Sequence, residues 1–220
     1  MYVMYHSFYL LFAAVVCITL FIGCSVDAKV VNGKWVEDVL PTTVLITGCS
    51  SGIGQATALE FAKNSKYKVW ASMRDISAWK DVPVPNNVIL IELDVTSDES
   101  VSKAIDKILK VDTKIDILVN NAGYGLVGTL ETVHIDEAKK MFDVNVWGVV
   151  RVLQAVLPSM RKSKRGHVIG VSSTSGIRAT PANEFYAGSK FALEGISEAM
   201  RYSLAAFNIS VTNVNPGPVV

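Results

Sequence analysis

The sequence predicts an α/β fold in which helices cover both faces of one parallel sheet, a three-layer, doubly wound architecture. Apolar runs of strand length alternate with helical patterns from residue 42 onward, and this alternation is typical of parallel sheets. The first apolar run is continuous rather than alternating, as expected of a strand buried on both faces. A glycine-rich segment, TGCSSGIG at 47–54, joins that run to the first helical pattern.

Length and composition allow one domain of this kind. The chain has 220 residues, 50% of them hydrophobic and 19% charged, enough for one sizeable core and short for two. The formal net charge of +1 gives no electrostatic reason to expect a nucleic-acid partner. The basic run 161–165 is interpreted as a solvated helix end, because Gly166 follows it as a stop signal. The three cysteines show no metal-ligand spacing and imply no disulfide framework, and Cys49 is interpreted as a small filler in a tight turn.

The N-terminal residues 1–28 are predicted to direct the chain to the secretory membrane system. Residues 8–26 carry no charge and are long enough to span a bilayer. The segment is either an uncleaved signal-anchor, which is preferred, or a signal peptide whose start lacks the usual Lys and Arg. We expect a location in the endoplasmic reticulum membrane or the secretory pathway, with the orientation open. Residues 29–41 are predicted to be a polar linker and 42–220 the folded domain.

The elements of the domain follow in the order that the alternation requires. The apolar run 43–48 predicts the first strand, and the pattern over 53–65 predicts the first helix. The segment 97–111 opens with a serine and acidic residues and then shows apolar residues at helical spacing, so it predicts a capped helix. The remaining predicted strands are 67–73, 87–95, 115–123, 167–173 and 209–217, and the remaining predicted helices are 134–162 and 184–207.

Right-handed crossovers between these strands favour a Rossmann-like strand order. In such sheets ligands bind outside the carboxyl ends of the strands, at the switch point, and the glycine-rich segment lies at the end of the first strand. Gly48, Gly52 and Gly54 would let the backbone and the free N–H groups of a helix approach a pyrophosphate. Ser50 and Ser51 add hydroxyl donors. The spacing G-x-x-x-G-x-G differs from that of nucleoside-triphosphate loops, and no Lys-Ser/Thr pair follows, so a dinucleotide is predicted.

Further motifs occur in a fixed order along the chain. They are Asp94-Val95, Asn120-Asn121-Ala122-Gly123, Asn145, Ser173, Tyr186-x-x-x-Lys190 and Asn215-Pro216-Gly217. Together with the glycine-rich segment they resemble the short-chain dehydrogenase/reductase family of the small single-domain type, over residues 43–220. The segments ITGCSSGIG, ASMRD and YAGSKFALEGISEAMR are most similar to those of the hydroxysteroid and retinol dehydrogenase branch.

The resemblance implies NADP(H) in preference to NAD(H). Where NAD-binding relatives carry an acid after the second strand, this chain has Met73 followed by Arg74, whose planar fork suits a 2′-phosphate. Ser50 matches a loop serine that helps bind this phosphate in the similar hydroxysteroid enzymes. The alternative is a surface pair between Arg74 and Asp75. The expected cofactor-binding residues are Gly48, Ser50, Ser51, Gly52, Ile53, Gly54, Arg74, Asp94, Val95, Asn121, Ala122, Gly123, Tyr186, Lys190, Pro216, Gly217 and Val219.

The resemblance also implies four catalytic residues. Tyr186 and Lys190 are four residues apart and share one helix face. A phenol is a poor base at neutral pH, but a neighbouring ammonium favours the phenolate, which exchanges the alcohol proton while hydride moves to or from the nicotinamide. Ser173, preferred over Ser172 on the family's spacing, would hold the substrate oxygen. Asn145 is implied to order a water that links Lys190 to solvent.

The expected function is interconversion of an alcohol and a ketone or aldehyde on a lipophilic, steroid- or retinoid-like molecule. Relatives continue beyond the Pro-Gly stretch with a substrate-covering segment and a further strand, whereas this sequence ends at Val220. We therefore expect a sheet without its usual last strand, in a partial gene product or a degenerate member. The alternative function is an inactive, membrane-associated nucleotide-binding or interaction module. A nucleotide-sugar epimerase is disfavoured by the glycine spacing. Family habit implies a possible homodimer.

Overall fold

The computed structural model describes residues 28–31, 34–37 and 41–218. The predicted targeting run 8–26 lies outside these residues. From the last residue of the predicted targeting segment into the predicted polar linker, Ala28–Val31 (β1) pairs antiparallel with Lys34–Glu37 (β2) as a separate two-stranded sheet. Among the described residues, no helix combines the length and the apolar character needed to cross a membrane.

A single six-stranded parallel sheet forms the centre of the domain, as the sequence predicts. The strands are Thr42–Ile46 (β3), Tyr67–Met73 (β4), Val88–Glu92 (β5), Ile117–Asn120 (β6), Gly166–Val171 (β7) and Ile209–Val214 (β8). Their order is β5-β4-β3-β6-β7-β8, so the chain moves outward from β3 to one edge, returns to the other side of β3 and moves outward again. This order confirms the doubly wound, Rossmann-like fold.

The helices agree with the predicted ones except in one region. The predicted helix 134–162 is divided by a π-helical turn, Asp143–Gly148, a feature that is frequent at functional sites. Two short 3₁₀ turns, Ile76–Trp79 and Thr174–Gly176, follow β4 and β7. The α-helices are Gly52–Ala62 (α1), Asp98–Asp112 (α2), Ile135–Phe142 (α3), Val149–Ser163 (α4) and Glu184–Ala205 (α5).

The core consists of two apolar layers, one on each face of the sheet. Alternate residues of β3 supply both layers, because successive strand side chains point to opposite faces. Leu45 packs with the buried faces of α2, α4 and α5, and Val44 and Ile46 pack with α1 and the 3₁₀ turn at Trp79. Since all six strands are parallel, their carboxyl ends meet at one edge of the sheet. The connecting segments that leave this edge form the functional site.

Candidate active site

A cleft of about 1050 Å³ opens at the carboxyl edge of the sheet. Segments that follow each of the six strands contribute to its walls, as expected at the switch point of a doubly wound sheet. Gly54 and Asn145 are not part of its lining, and Val219 lies outside the described residues. The predicted site residues that line the cleft are Gly48, Ser50, Ser51, Gly52, Ile53, Arg74, Asp94, Val95, Asn121, Ala122, Gly123, Ser173, Tyr186, Lys190, Pro216 and Gly217.

The glycine-rich turn is held tightly against the segment that follows β6. Gly48 has φ +72°, and a Cβ there would lie 2.8 Å from the Ala122 Cα. A Cβ on Gly54 would lie 2.3 Å from the Gly48 carbonyl oxygen. The Asn121 Nδ2 donates to the carbonyl oxygens of Thr47 and Gly48 at 2.9 and 3.1 Å. Both glycines therefore permit a close backbone approach, and Asn121 fixes the turn from within.

The N-terminus of α1 matches an anionic ligand. Ser51 stands at its N-cap without a side-chain capping bond, and its first turn holds no acid. By contrast, Ser97 caps α2 and Asp98 and Glu99 occupy the first turn of that helix. The positive end of α1 is thus left without a counter-charge from its own side chains. A Cβ on Gly52 would meet no atom within 4 Å, so nothing crowds this end of the cleft. These residues fit the pyrophosphate of a dinucleotide.

Arg74 stands exposed where β4 leaves the sheet. The alternative surface pair is not formed among the described residues, because the Asp75 carboxylate instead accepts hydrogen bonds from the backbone and hydroxyl of Ser77. These bonds lower the pKa of the Asp75 carboxyl. Arg74 lines the cleft, within electrostatic reach of Asp94.

Asp94 lies just beyond β5 and is held as a carboxylate. Burial alone would raise the pKa of Asp94, but hydrogen bonds from Thr96 and the cations Arg74 and Arg151 outweigh burial and leave the pKa lowered. The Thr96 hydroxyl and backbone N–H donate to its Oδ1 at 2.7 and 2.9 Å. Arg151 from α4 contacts the neighbouring Val95 carbonyl at 3.4 Å and bridges to Asp143 at 2.8 Å. The segment after β5 is thereby joined to the π-helical turn.

Tyr186 and Lys190 lie in the first two turns of α5. The Lys190 Nζ lies 5.7 Å from the centroid of the Tyr186 ring and donates to the Val171 carbonyl at 3.0 Å. Lys190 is only 5% exposed. Burial lowers the pKa of Lys190 to about 8, while the carboxylate of Glu194 opposes the shift. A deeply buried cation next to a phenol is the arrangement that the Tyr-x-x-x-Lys spacing predicts.

Ser173 and Ser172 both line the cleft after β7. The Ser173 Oγ accepts from the backbone N–H of Ser175 at 3.1 Å, which caps the following 3₁₀ turn. The Ser172 Oγ is buried and has no hydrogen-bond partner among the described residues. It also borders a small internal space of about 10 Å³ shared with Asn120 and Asn213.

A carboxylate that sequence reasoning missed supports Ser173. The Asn215 Nδ2 donates both to the Ser173 carbonyl at 3.1 Å and to the Glu194 Oε1 at 2.6 Å. The Asn213 Nδ2 donates to the Glu194 Oε2 at 2.8 Å. Glu194 lies one turn beyond Lys190 on α5, so one side chain connects the end of β8, the serine segment and the buried lysine. In the sequence, the only indication that Glu194 belongs to the site is its spacing of four residues from Lys190.

Asn145 lies behind the cleft wall, completely buried in the π-helical turn. Its Oδ1 accepts from the Tyr124 N–H at 3.0 Å, and its Nδ2 donates to the Tyr124 carbonyl at 2.9 Å. The Nδ2 also donates to the Ser189 hydroxyl at 3.2 Å. A Cβ on Gly123 would lie 3.1 Å from the Asn145 Oδ1 and 3.7 Å from the Lys190 Nζ. The structure therefore brings Asn145 and Lys190 to the same side of the segment after β6.

The thiol of Cys49 is not available for chemistry. It is fully buried and donates to the Ile46 carbonyl at 3.3 Å. Burial raises the pKa of Cys49 to about 12, against a smaller opposing effect of a hydrogen bond from the Ser72 backbone. The thiol therefore stays protonated at neutral pH.

Several lining residues were not predicted from the sequence. They lie on irregular segments or on helix faces whose direction depends on the π-helical turn. The Asp94-x-Thr96 pair was a local signal for one of them, because an Asp that accepts from a residue two positions on is a common turn. These residues are Leu93, Thr96, Tyr124, Gly125, Lys140, Asp143, Val144, Thr174, Ser175 and Asn183.

Comparison with known proteins matches the architecture and the motifs. The profile described as short chain dehydrogenase covers residues 42–220. Retinol dehydrogenase 8 of Bos taurus is 43% identical over 188 residues, covering 82% of this chain and 60% of its own. The 17-beta-hydroxysteroid dehydrogenase type 1 of Homo sapiens is 38% identical over 188 residues, covering 81% of this chain and 57% of its own. The chain thus spans about 60% of the length of these curated relatives.

Solved structures match as well. A structure titled ElxO with NADP Bound superposes with a TM-score of 0.77 at 33% sequence identity. The match covers 81% of this chain and 74% of that one.

Proposed function

The chain belongs to the short-chain dehydrogenase/reductase family, and on that premise we propose that it is an NADP(H)-dependent oxidoreductase acting on a lipophilic alcohol or carbonyl compound. One observation carries the proposal. Ser173, Tyr186 and the buried Lys190 line the same cleft as the uncapped N-terminus of α1. A site that accepts an anionic dinucleotide therefore adjoins a proton-exchanging pair.

Cofactor binding would use the residues at the carboxyl edge of the first four strands. The glycine-rich turn and the α1 N-terminus would hold the pyrophosphate, Asp94 and Val95 would border the adenine, and Pro216 and Gly217 would border the nicotinamide. When bound, the cofactor supplies the hydride donor or acceptor.

The chain's own residues then manage the proton and the substrate oxygen. The Lys190 ammonium stabilises the phenolate form of Tyr186, whose oxygen accepts the proton of an alcohol or returns it to a reduced carbonyl. The hydroxyl of Ser173 is expected to donate to the substrate oxygen where negative charge develops. Its hydroxyl hydrogen is available for this because the Oγ is an acceptor in its contact with Ser175. Asn145 is proposed to serve the proton path behind Lys190 through a water.

The preference for NADP(H) is supported by Arg74. It is exposed, free of Asp75 and positioned beyond β4, where a ribose 2′-substituent would lie. A guanidinium binds phosphate through paired hydrogen bonds. The match to a structure with bound NADP agrees with this assignment.

The substrate class is proposed from the relatives. The two curated relatives carry names for retinol and 17-beta-hydroxysteroid dehydrogenation, and both kinds of molecule are large, apolar alcohols. The charge-free run 8–26 supports a location at the endoplasmic reticulum membrane or elsewhere in the secretory pathway, where such substrates partition.

The test is hydride transfer by the full chain in detergent micelles. NADPH oxidation with retinal and with 17-ketosteroids, and the reverse reactions, should be followed for the wild type and for Tyr186→Phe. Tyr202→Phe serves as the matched control, since Tyr202 is 76% exposed on the same helix. We expect Tyr186→Phe to lower kcat by at least about 100-fold and Tyr202→Phe to have no effect. Equal turnover in the Tyr186→Phe variant would overturn the assignment.

A further inference from the structure

The amino edge of the sheet, opposite the cleft, carries a group of exposed cations. We define it as the last turns of α1, α2 and α4, the segments that follow them, and the first residues of the strands they lead to. Helices antiparallel to the strands all end at this edge. The exposed cations there are Lys63, Lys66, Lys110, Arg161, Lys162 and Lys164.

The acids at the same edge are turned inward and neutralised. Asp112 accepts from the Trp70 indole N–H at 2.6 Å and pairs with Lys68. Asp116 is 5% exposed, accepts from the Thr43 N–H at 2.9 Å and pairs with Lys114. These two acids therefore add little to the electrostatic potential outside the amino edge. The exposed cations set this potential.

Glu60 completes the acids of this edge. Its side chain is 28% exposed and pairs with Lys63. One partly screened carboxylate leaves the field of the amino edge strongly positive.

The carboxyl edge carries the opposite charge. Its described cations include the exposed Arg74, Lys140 and Arg178 and the buried Lys190. The more numerous acids of its connecting segments and first helical turns are Asp75, Glu92, Asp94, Asp98, Glu99, Glu131, Asp136, Glu137 and Glu184. The chain is nearly neutral as a whole, so its charge is separated between two edges.

Complementarity to helix dipoles explains part of this separation. It favours acids at helix N-termini and cations such as Lys110, Arg161 and Lys162 in last turns. It does not account for Lys66, which lies beyond the end of α1. A surface that faces an anionic partner accounts for this cation.

The chain enters the domain at this same edge. The Thr42 N–H donates to the Lys66 carbonyl at 2.8 Å, so the first residue of β3 lies beside the exposed cations. Residues 27–41 separate Thr42 from the charge-free run 8–26. Because Ala28–Val31 and Lys34–Glu37 of this connection pair with each other, its reach is shorter than the roughly 50 Å of fifteen extended residues. A membrane holding the apolar run would therefore lie close to the amino edge.

We propose that the amino edge is a docking surface for the anionic headgroups of the membrane into which residues 8–26 insert. Each Lys or Arg near an anionic bilayer adds to the attraction, and the attraction is screened by salt. A nucleic acid would also be attracted, but the near-zero net charge and the adjoining apolar run favour the bilayer. The proposal does not depend on the catalytic assignment. With the amino edge on the membrane, the cleft opens toward the aqueous phase that holds a soluble dinucleotide.

The first test is lysine footprinting of the full chain reconstituted in vesicles. A membrane-impermeant amine reagent is applied to vesicles of phosphatidylcholine alone and with about 30% phosphatidylserine. We expect labelling of Lys63, Lys66, Lys162 and Lys164 to fall several-fold only in the anionic vesicles and to recover in high salt. Lys103 on the exposed side of α2 provides the internal control. Equal labelling of the edge lysines in both vesicle types would refute the proposal.

The second test uses charge reversal. Lys162→Glu/Lys164→Glu is compared with Lys103→Glu/Lys107→Glu, which changes the same charge on exposed α2 residues. Because both variants retain the apolar run 8–26, we expect them to bind neutral vesicles equally. On anionic vesicles we expect the edge variant to partition about tenfold more weakly than the control variant. Equal partition of the two variants on anionic vesicles overturns the proposal. If, in addition, the wild type is retained on duplex RNA in a salt-sensitive manner, the amino edge is assigned to nucleic acid instead. Thermal unfolding of both variants verifies that they fold.

Discussion

At the scale of single residues, the site depends on a buried lysine kept cationic by a neighbour. Lys190 sits in a poorly solvated position that favours its neutral form, and Glu194 counteracts this effect from one helical turn away. The same carboxylate receives Asn213 and Asn215, the second of which also holds the Ser173 backbone. Glu194 is thus proposed as a positioning residue for Ser173 and Lys190, although it does not line the cleft.

Replacing Glu194 by Gln is expected to shift the pH dependence of catalysis. The carboxylate raises the pKa of Lys190, so its removal lowers that pKa below about 8 and the ammonium is lost at a lower pH. Since the proposed mechanism requires the Lys190 ammonium, the alkaline limb of the kcat–pH profile should move down by roughly 0.5–1 pH unit. Glu194→Asp should retain most of the wild-type profile.

Glu198→Gln is the matched control, because Glu198 is exposed one turn farther along α5. Its alkaline limb should coincide with that of the wild type. A Glu194→Gln profile that does not move, or moves upward, would contradict the role assigned to Glu194.

At the scale of elements, the sequence predicted what short-range patterns encode. Continuous apolar runs gave the six strands within a few residues, and the Ser97 cap marked the start of α2. The division of the predicted helix 134–162 was not visible, because the π-helical turn depends on contacts of Asn145 with Tyr124 and Ser189 far along the chain. The contacts of Glu194 with Asn213 and Asn215 were hidden for the same reason. Patterns within one element do not encode pairings between elements.

The π-helical turn gives a prediction at this scale. Asn145→Ala removes both hydrogen bonds to the Tyr124 backbone and the bond to Ser189. We expect a loss of about 2 kcal/mol in the free energy of unfolding, because Tyr124 backbone groups lose their partners. Denaturant unfolding at 25 °C measures the loss, and hydrogen exchange should show faster exchange of the Tyr124 amide.

Ser189→Ala is the comparison variant, since it removes only one of these partners of Asn145. It should cost less stability and leave the Tyr124 amide protected. If both variants exchange alike at Tyr124, Asn145 does not hold the segment after β6.

At the scale of the whole molecule, cofactor binding and folding are linked. The cleft is built from segments that leave all six strands, so a ligand that bridges them binds the folded chain and not the unfolded one. A dinucleotide at a free concentration 100 times its dissociation constant should raise the free energy of unfolding by about 2.7 kcal/mol. For a chain of this size that corresponds to a rise in Tm of roughly 5–10 °C.

This linkage tests the cofactor preference without turnover. NADPH should raise the Tm of the wild type more than NADH does at the same concentration, because only the former carries the phosphate that Arg74 would bind. Arg74→Gln should abolish the difference and leave the NADH shift unchanged. Lys80→Gln removes another exposed cation, one that does not line the cleft, so it should behave as the wild type. Tyr186→Phe should retain the NADPH shift while losing turnover, which separates binding from chemistry. An NADH shift equal to that of NADPH in the wild type would instead show that Arg74 does not select the cofactor.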